Sequence, residues 1–564
     1  MFRKIQSFWK KTKHKQYSTV NPEEIFLDSS NLPSFNRDQF EGRIETSISK
    51  TSLTLIKICF ALIVIVFVYK VWDLQVIQGD FYLQKSLTNT LKKDIIFAHR
   101  GIIVDRNNAS LVWNEESNER PYDTREYVQQ RGFSHLLGFV KYPGQDATGK
   151  FYSFDTLGQD GLEKYFNQNL SGTNGSKLTE TNVKGEIESQ SILLPPQNGQ
   201  KITLSIDSRV QSQFFNELAR AVDESGFAGG AGVIMDTHTG EVLALVSYPD
   251  YSSEVMTLGQ DRLKIKEYLE SKRQPFLDRA ISGLYAPGSI VKPFIALGIL
   301  EESIIDPNKQ ILTEGFLSLP NPYDPEHPTI FKDWKNHGIV DMRKAIAVSS
   351  DVYFYITGGG FKNQKGLGIS KIDEYMSKFF FGVSTFGFFD GPAGTIPTPE
   401  WKARLFDGED WRIGNTYHTA IGQYGFQVTP LQIARAMTGI ATEGDIVEPV
   451  ITKDEQGQKT HIDDIESKNY KVVKEGMRQA VTNGTAIALN ISTLAVAAKT
   501  GTAELGSLKQ KVNSWVEGFF PYDNPRYTFA VVLENGPTTY KVSAMQVMGH
   551  TLKWMTENTP EYTK

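Results

Sequence analysis

The chain reads as an α+β protein: one antiparallel sheet covered by helices, preceded by a β-rich segment and one membrane-spanning helix. Three observations point there. A single long apolar run lies near the N-terminus, at 53–74. Strand-like runs cluster at 201–246 and again at 494–534, with helical stretches between them. Between the apolar run and the first cluster, residues 75–195 form short β-rich runs broken by polar and Gly-rich pieces. With 564 residues, 40% hydrophobic and 22% charged, the chain is globular in composition and long enough for two or three domains.

The N-terminal segment 1–52 is polar, and six basic residues (Arg3, Lys4, Lys10, Lys11, Lys13 and Lys15) precede any acidic one. The run at 53–74 has only 12 uncharged residues at its centre, 58–69. Lys57 and Lys70 extend it to a workable span if their stems snorkel, with Trp72 in the interfacial belt. A buried core helix or a cleaved signal peptide would pass part of the same test. The late start, the polar tail before it and the lack of a small-residue cleavage site favour an anchor. The basic tail then lies in the cytoplasm and the body of the chain outside, at the plasma membrane. Residues 1–57 carry ten Lys/Arg against six Asp/Glu, and the rest of the chain fifty against fifty-nine. An acidic body of this size is a poor nucleic-acid binder, since that affinity rests on neutralising phosphates. Cys59 is the one cysteine, which excludes an internal disulfide and any cysteine-based metal site.

Pro195-Pro196 and Asn198-Gly199 mark a break. The organisation that follows is a tail at 1–52, a span at 53–74, a β-rich domain at 75–200 and a larger domain at 201–564. In the larger domain, 201–207 alternates as a strand and 209–223 is helical. Residues 231–235 and 241–246 are apolar strands joined by the turn Asp-Thr-His-Thr-Gly at 236–240, a β-hairpin. Helices dominate to about 445. Strands return at 494–502, 515–520 and 527–534, and a helix at 544–555 closes the chain.

Three short elements could carry chemistry. In Tyr-Ala-Pro-Gly-Ser-Ile-Val-Lys-Pro at 285–293, Pro287-Gly288 favours a turn, and Pro293 is tolerated only in the first turn of a helix. A helix therefore starts near Ser289, placing its hydroxyl at the positive end of the dipole, with Lys292 one turn on. A lysine kept neutral by burial or by nearby positive charge can take a serine's proton. The second element is Ser349-Ser350-Asp351, and the third is Lys499-Thr500-Gly501-Thr502 at a strand end. Gly501 on an exposed strand would let another backbone approach, such as a peptide adding as an extra strand. Alone, each has a plain structural reading: a cap with a surface lysine, a helix cap, and a strand running into a turn. Ser-x-x-Lys also occurs at Ser7 and Ser47 in the tail. Order and spacing raise the case, with 60 residues from Ser289 to Ser349 and 150 from Ser349 to Lys499.

These three elements resemble the motif set of the penicillin-binding proteins and serine β-lactamases. The likeness runs over roughly 53–540. HRGIIVDR at 99–106 and GQDGLE at 158–163 look like signatures of the non-catalytic "pedestal", the dimerisation-type domain of class B members. GM at 476–477, GTA at 484–486 and GFFP at 518–521 look like parts of the transpeptidase domain. KDW at 332–334, HG at 337–338 and IPTPEWK at 396–402 resemble the elongation type, penicillin-binding protein 2. The sequence departs from the usual pattern at Asp351, where most relatives carry Asn, at TFGFF in 385–389 and at GQYG in 422–425.

The resemblance implies a serine-type D-Ala-D-Ala transpeptidase that cross-links peptidoglycan stem peptides through a Ser289 acyl-enzyme during elongation, and is inhibited by penicillins. Lys292 would be the base, Ser349 the proton relay and Asp351 and Lys499 further members of the catalytic set. Lys499, Thr500, Gly501 and Thr502 would bind substrate, with the backbone N–H groups of Ser289 and Thr502 as oxyanion hole. No cofactor or metal is implied. Partners would be a SEDS-family glycosyltransferase and other elongation-complex proteins. A division-type transpeptidase, a β-lactamase or carboxypeptidase, and a non-catalytic penicillin-binding sensor are the alternatives. Asp351 is expected to spend its charge on Lys499 and backbone donors, so that Asp351→Asn keeps acylation within about tenfold, or ~1.4 kcal/mol.

Overall fold

The computed structural model describes residues 50–82, 90–182, 186–321, 324, 326–506 and 508–564. The basic tail expected in the cytoplasm lies outside the described residues up to 49. The chain divides into two compact units. One holds the described residues up to Leu91 with Glu180–Glu188, the other Lys92–Thr179 with Ser189–Lys564.

In the first unit, helix α1 spans Lys50–Trp72 and runs on through a π-helical turn, Asp73–Ile77. Thr51–Ile77, 27 residues, is long and apolar enough to cross a membrane. At 1.5 Å per residue it extends roughly 40 Å. It is longer than the run read from sequence, and the charges near its C-terminal end are paired locally. Lys70 Nζ lies 2.9 Å from Asp73, and the Gln78 amide donates to the same carboxylate at 3.2 Å.

The second unit contains a four-stranded sheet. Its strands are β1 (Ile103–Val104), β2 (Ser110–Glu115), β3 (Thr124–Tyr127) and β4 (Ile202–Thr203), in the order β3-β2-β1-β4. β4 pairs parallel to β1, so the strand that follows the Pro-Pro break completes this sheet. Two charges read as signatures meet beneath it. Arg100 and Arg125 both clasp Glu163, at 2.6 and 2.7 Å, and all three are buried. Asp105 accepts from the backbone of Asn107 and Ala109 at 2.8 Å each, closing the β1–β2 turn, and from Ser208 Oγ at 2.7 Å.

Ser208 begins helix α2 (Ser208–Ser225), N-capped by Asp207, which accepts from the Arg209 amide at 2.9 Å. The expected hairpin follows as β5 (Gly229–Asp236) and β6 (Val242–Tyr248). The core helices are α3 (Lys292–Glu301), α4 (Met342–Val348), α5 (Asp351–Gly359), α6 (Pro430–Ala441) and α7 (Ser467–Asn483). β7 (Ala497–Leu505), β8 (Lys511–Phe520) and β9 (Tyr527–Pro537) lead to the closing helix α8 (Ala544–Asn558). The five strands form an antiparallel sheet in the order β6-β5-β9-β8-β7. α2 and α8 pack with Phe214, Leu218, Val547 and Leu552 buried in one cluster with Val246 and Val531 of the sheet. Strand residues such as Val233, Trp515 and Val532 join the other cluster, with α3, α6 and α7. Covered on both faces, the strands read as continuous apolar runs rather than alternating ones: every residue of β6 is buried.

The stretch expected to be helical to about 445 also holds two short hairpins. Ile311–Thr313 pairs with Gly338–Val340, and Phe316–Leu319 with Thr329–Lys332. Each of these strands buries a single residue, Thr313, Leu317, Phe331 or Val340, so the apolar signal over them is sparse.

Candidate active site

Gly288–Val291 forms a 3-10 turn that runs into α3, with Pro293 in its first turn. Three contacts from distant elements pin the turn. Tyr285 and Val428 exchange backbone hydrogen bonds at 3.0 Å each, the Gly288 amide donates to the Gly422 carbonyl at 2.9 Å, and Trp515 Nε1 donates to the Ala286 carbonyl at 2.9 Å. Gly288 has φ +58, and a Cβ there would stand 2.8 Å from the Thr502 carbonyl oxygen. Only glycine meets both demands without strain. The GQYG departure keeps this contact through Gly422. It leaves Tyr424 at φ 63 against Trp401 and Trp411, with ring centroids 5.8 and 5.7 Å away.

Ser289 lines a cleft of 1180 Å³ together with Ser349, Asp351, Thr500, Gly501 and Thr502. Lys292 and Lys499 are wholly buried behind its wall. The three sequence elements therefore meet. Ser349 links them: Lys499 Nζ donates to its Oγ at 2.7 Å, and Lys292 Nζ lies 3.4 Å from the same oxygen. Lys292 also donates to the Ser349 carbonyl at 2.9 Å, and Lys499 to the Thr500 carbonyl at 2.6 Å. Among the described residues, the Ser289 hydroxyl makes no hydrogen bond to either lysine.

Ser349 sits in the left-handed region (φ 58, ψ 42) between α4 and α5. That is a costly conformation for a residue with a Cβ, and it points to a constraint on the side chain. The next residue does what the plain reading of this motif allowed. Ser350 caps α5 by accepting from the Tyr353 amide at 3.3 Å. It also donates to Asp333 Oδ2 at 2.9 Å, and the same oxygen accepts from the Val352 amide at 2.9 Å. His337 Nε2 lies 3.4 Å from the other Asp333 oxygen, and Trp334 Nε1 donates to the Ser349 carbonyl at 3.3 Å. Asp333, Trp334 and His337, quoted from sequence only as family marks, thus brace the second motif.

One expectation is corrected, and the reading of Gly501 gains a second cause. Asp351 does not pair with Lys499: its Oδ1 lies 2.6 Å from Lys292 Nζ. The first turn of α5 aims its side chain at the α3 lysine, and the Lys499 ammonium is occupied by Ser349 and Thr500. The basis for expecting Asp351→Asn to leave Lys292 undisturbed is therefore gone. Gly501 is also not kept bare for an incoming peptide alone. A Cβ there would stand 2.9 Å from both the Pro287 carbonyl oxygen and Ile290 Cγ2, so the backbone that needs the room is the chain's own turn at 287–290.

The electrostatics follow from burial. Burial, then the neighbouring charge of Lys292, holds the Lys499 amine well below the usual lysine range, while Glu517 and Asp351 pull it back up. Burial raises the Asp351 carboxyl. Lys292 and Lys499 oppose the rise and Asp333 adds to it. Thr500 Oγ1 donates to Thr485 Oγ1 at 2.7 Å, fixing the threonine of the third motif. Such an arrangement can hold a nucleophile, shuttle a proton through Ser349 and meet an anion at Lys499.

The model of the penicillin binding protein transpeptidase domain matches residues 230–550, and that of the penicillin-binding protein dimerisation domain matches 118–204. The chain is 32% identical over 454 residues to the peptidoglycan D,D-transpeptidase MrdA of Haemophilus influenzae, covering 74% of this chain and 67% of that protein. To the Escherichia coli K12 protein of the same name it is 28% identical over 469 residues, covering 76% and 71%. Among solved structures, Pseudomonas aeruginosa PBP2 in complex with WCK 5153 superposes with a TM-score of 0.65 at 30% identity, over 82% of this chain and 96% of that one. Helicobacter pylori PBP2, solved in complex with MreC, superposes with a TM-score of 0.66 at 26% identity, over 83% and 99%.

Proposed function

The chain belongs to the penicillin-binding protein transpeptidase family, and from that premise we propose that Ser289 is the nucleophile of an elongation-type peptidoglycan D,D-transpeptidase. What supports this reading is the set of distances at Ser349, whose hydroxyl stands 2.7 Å from one buried lysine and 3.4 Å from the other on the wall that Ser289 shares.

In this reaction Ser289 Oγ attacks the carbonyl between the terminal D-alanines of a stem peptide and gives its proton to Lys292. The Lys292–Asp351 contact bears on that step, because a carboxyl raised by burial is a better resting place for a proton than a free carboxylate. The oxyanion forms against the backbone N–H groups of Ser289 and Thr502. Ser349 relays a proton to the departing D-alanine amine, whose carboxylate is held by Lys499, Thr500 and Thr502, with Gly501 keeping strand and turn close. The acceptor amine of a second stem peptide then attacks the ester and frees Ser289. β-Lactams enter at the same serine and leave slowly.

The same reading divides the chain into a cytoplasmic tail at 1–52, an anchor at 53–74, a pedestal at 75–200 and a transpeptidase domain at 201–564 outside the membrane. Its partners are a SEDS-family glycosyltransferase and other proteins of the elongation complex.

Acylation by a labelled penicillin, followed by mass mapping of the modified peptide, tests the assignment. Wild type should carry one slowly released adduct on the peptide containing Ser289, and Ser289→Ala none. Label retained by Ser289→Ala, or mapped elsewhere, rules Ser289 out, and rapid turnover of the drug would favour a β-lactamase.

A further inference from the structure

Glu517 lies on β8 directly opposite Lys499 on β7 in the antiparallel ladder, so the two side chains leave the same face of the sheet. Both are wholly buried. Among the described residues neither carboxyl oxygen of Glu517 has a hydrogen-bond partner, and no ion-pair contact closes between it and Lys499. An acid placed in the apolar half of this strand, 515–520, without one hydrogen bond is costly to retain. A role in packing does not explain it, since an apolar side chain would fill the space at lower cost.

We propose that Glu517 is a positioning residue whose charge, set across the ladder from Lys499, governs the charge of that lysine. The charged groups that face this pair are few. Lys499 stands on β7, and through it Lys292 of α3 and Asp351 of α5 act on the pair. On the Glu517 side, Lys499 is the charge that matters. With the proton on Lys499, Glu517 is a carboxylate and the ammonium can meet an anionic substrate terminus. With the proton on Glu517, Lys499 is a neutral amine and both charges leave the interior. The two forms hold the same number of protons, so the net charge of the pair is the same in both. Burial drives the Glu517 carboxyl well above the usual carboxylate range, with Lys499 drawing it back.

This inference rests on the reading of Lys499 as the carboxylate-holding lysine. The sign follows: activity needs Lys499 cationic, and a carboxylate at 517 favours the cation, so removing it makes the lysine lose its proton at lower pH. The test measures the second-order acylation rate constant with a labelled penicillin from about pH 5 to about pH 10. It uses full-length wild type, Glu517→Gln and Glu517→Leu, with a thermal melt of each. In both variants the alkaline midpoint should fall by about one pH unit while Tm stays level or rises. Superimposable profiles overturn the inference. So does a rate lowered equally at every pH with the midpoint unmoved, which is the mark of a packing defect. If wild type takes no label at Ser289 at any pH, the proposed function fails first and this inference with it.

Discussion

Glu163 in the pedestal and Glu517 in the cleft are both wholly buried carboxyls, and the chain surrounds them in opposite ways. Glu163 is gripped by two guanidiniums, at 2.6 and 2.7 Å. Arg100 spends its remaining donors on the carbonyls of Thr156 and Glu163, on Ser171 and on Asn167. Apart from Arg125 Nη2, which stays unpartnered, the network is closed. Planar guanidiniums have donors in a fixed fork, so a network of this kind locks one geometry. The cleft uses ammonium groups instead, which are compact point charges that shift their proton readily when buried. Among the described residues Lys499 has two hydrogen bonds and Glu517 has none. The difference teaches what each region is built for: the pedestal spends its charge on shape, whereas the cleft keeps charge incompletely answered, ready for a ligand or a proton.

The largest effect should come from opening the closed network. Glu163→Ala leaves two buried guanidiniums without their counter-charge, and the cost should be at least about 3–5 kcal/mol by urea denaturation. The folded fraction should still acylate at Ser289 at nearly the wild-type rate. A variant as stable as wild type would break the comparison at its stronger end.

Asp351→Ala should come next. It removes the partner of a buried lysine, but the carboxylate is 18% exposed and solvent can replace part of it, so about 2 kcal/mol is expected. Asp351→Asn keeps an acceptor for the lysine and should lose about 1 kcal/mol. Melting curves of the two variants check the ranking. Equal losses would mean that Asp351 acts on Lys292 through its charge alone.

How much of this was legible beforehand depended on the range of each cause. The turn into α3 announces itself locally, because Pro287, Gly288 and Pro293 restrict the backbone wherever they stand. The hairpin β5–β6 and the three late strands were readable because a sheet covered on both faces writes continuous apolar runs. The partner of Asp351 was not readable. Which lysine it meets is set by how α3 and α5 pack, and nothing in Ser-Ser-Asp encodes that. The neighbour of Gly501 is a turn far earlier in the chain, visible only once β7 and that turn are brought together. Asp333 looked like a family mark, and only the fold makes it the acceptor that braces Ser350 and Val352. Glu517 did leave a signal, an acid inside the apolar run of β8. Its meaning needed the register that sets it across from Lys499.

The smallest effect is a slope rather than a loss, and it separates the two kinds of carboxyl by sign. Asp207 joins Arg209, Tyr562 and Asn107, at 2.6, 2.7 and 2.8 Å. Burial pushes its carboxyl up, but these partners outweigh burial and hold it below the usual carboxylate range. A lowered carboxyl gives stability that is present above the unfolded value, near ~3.9, and is lost as pH falls through the folded one. The Tm advantage of wild type over Asp207→Asn should therefore be full at neutral pH and should shrink below about pH 4. Glu517 is raised, so its contribution is lost as pH rises, and the Tm of Glu517→Gln relative to wild type should climb toward alkaline pH. Slopes of the same sign in both variants would mean that the cleft acid is held as the scaffold acid is, and the contrast between the two regions would fail at its finest point.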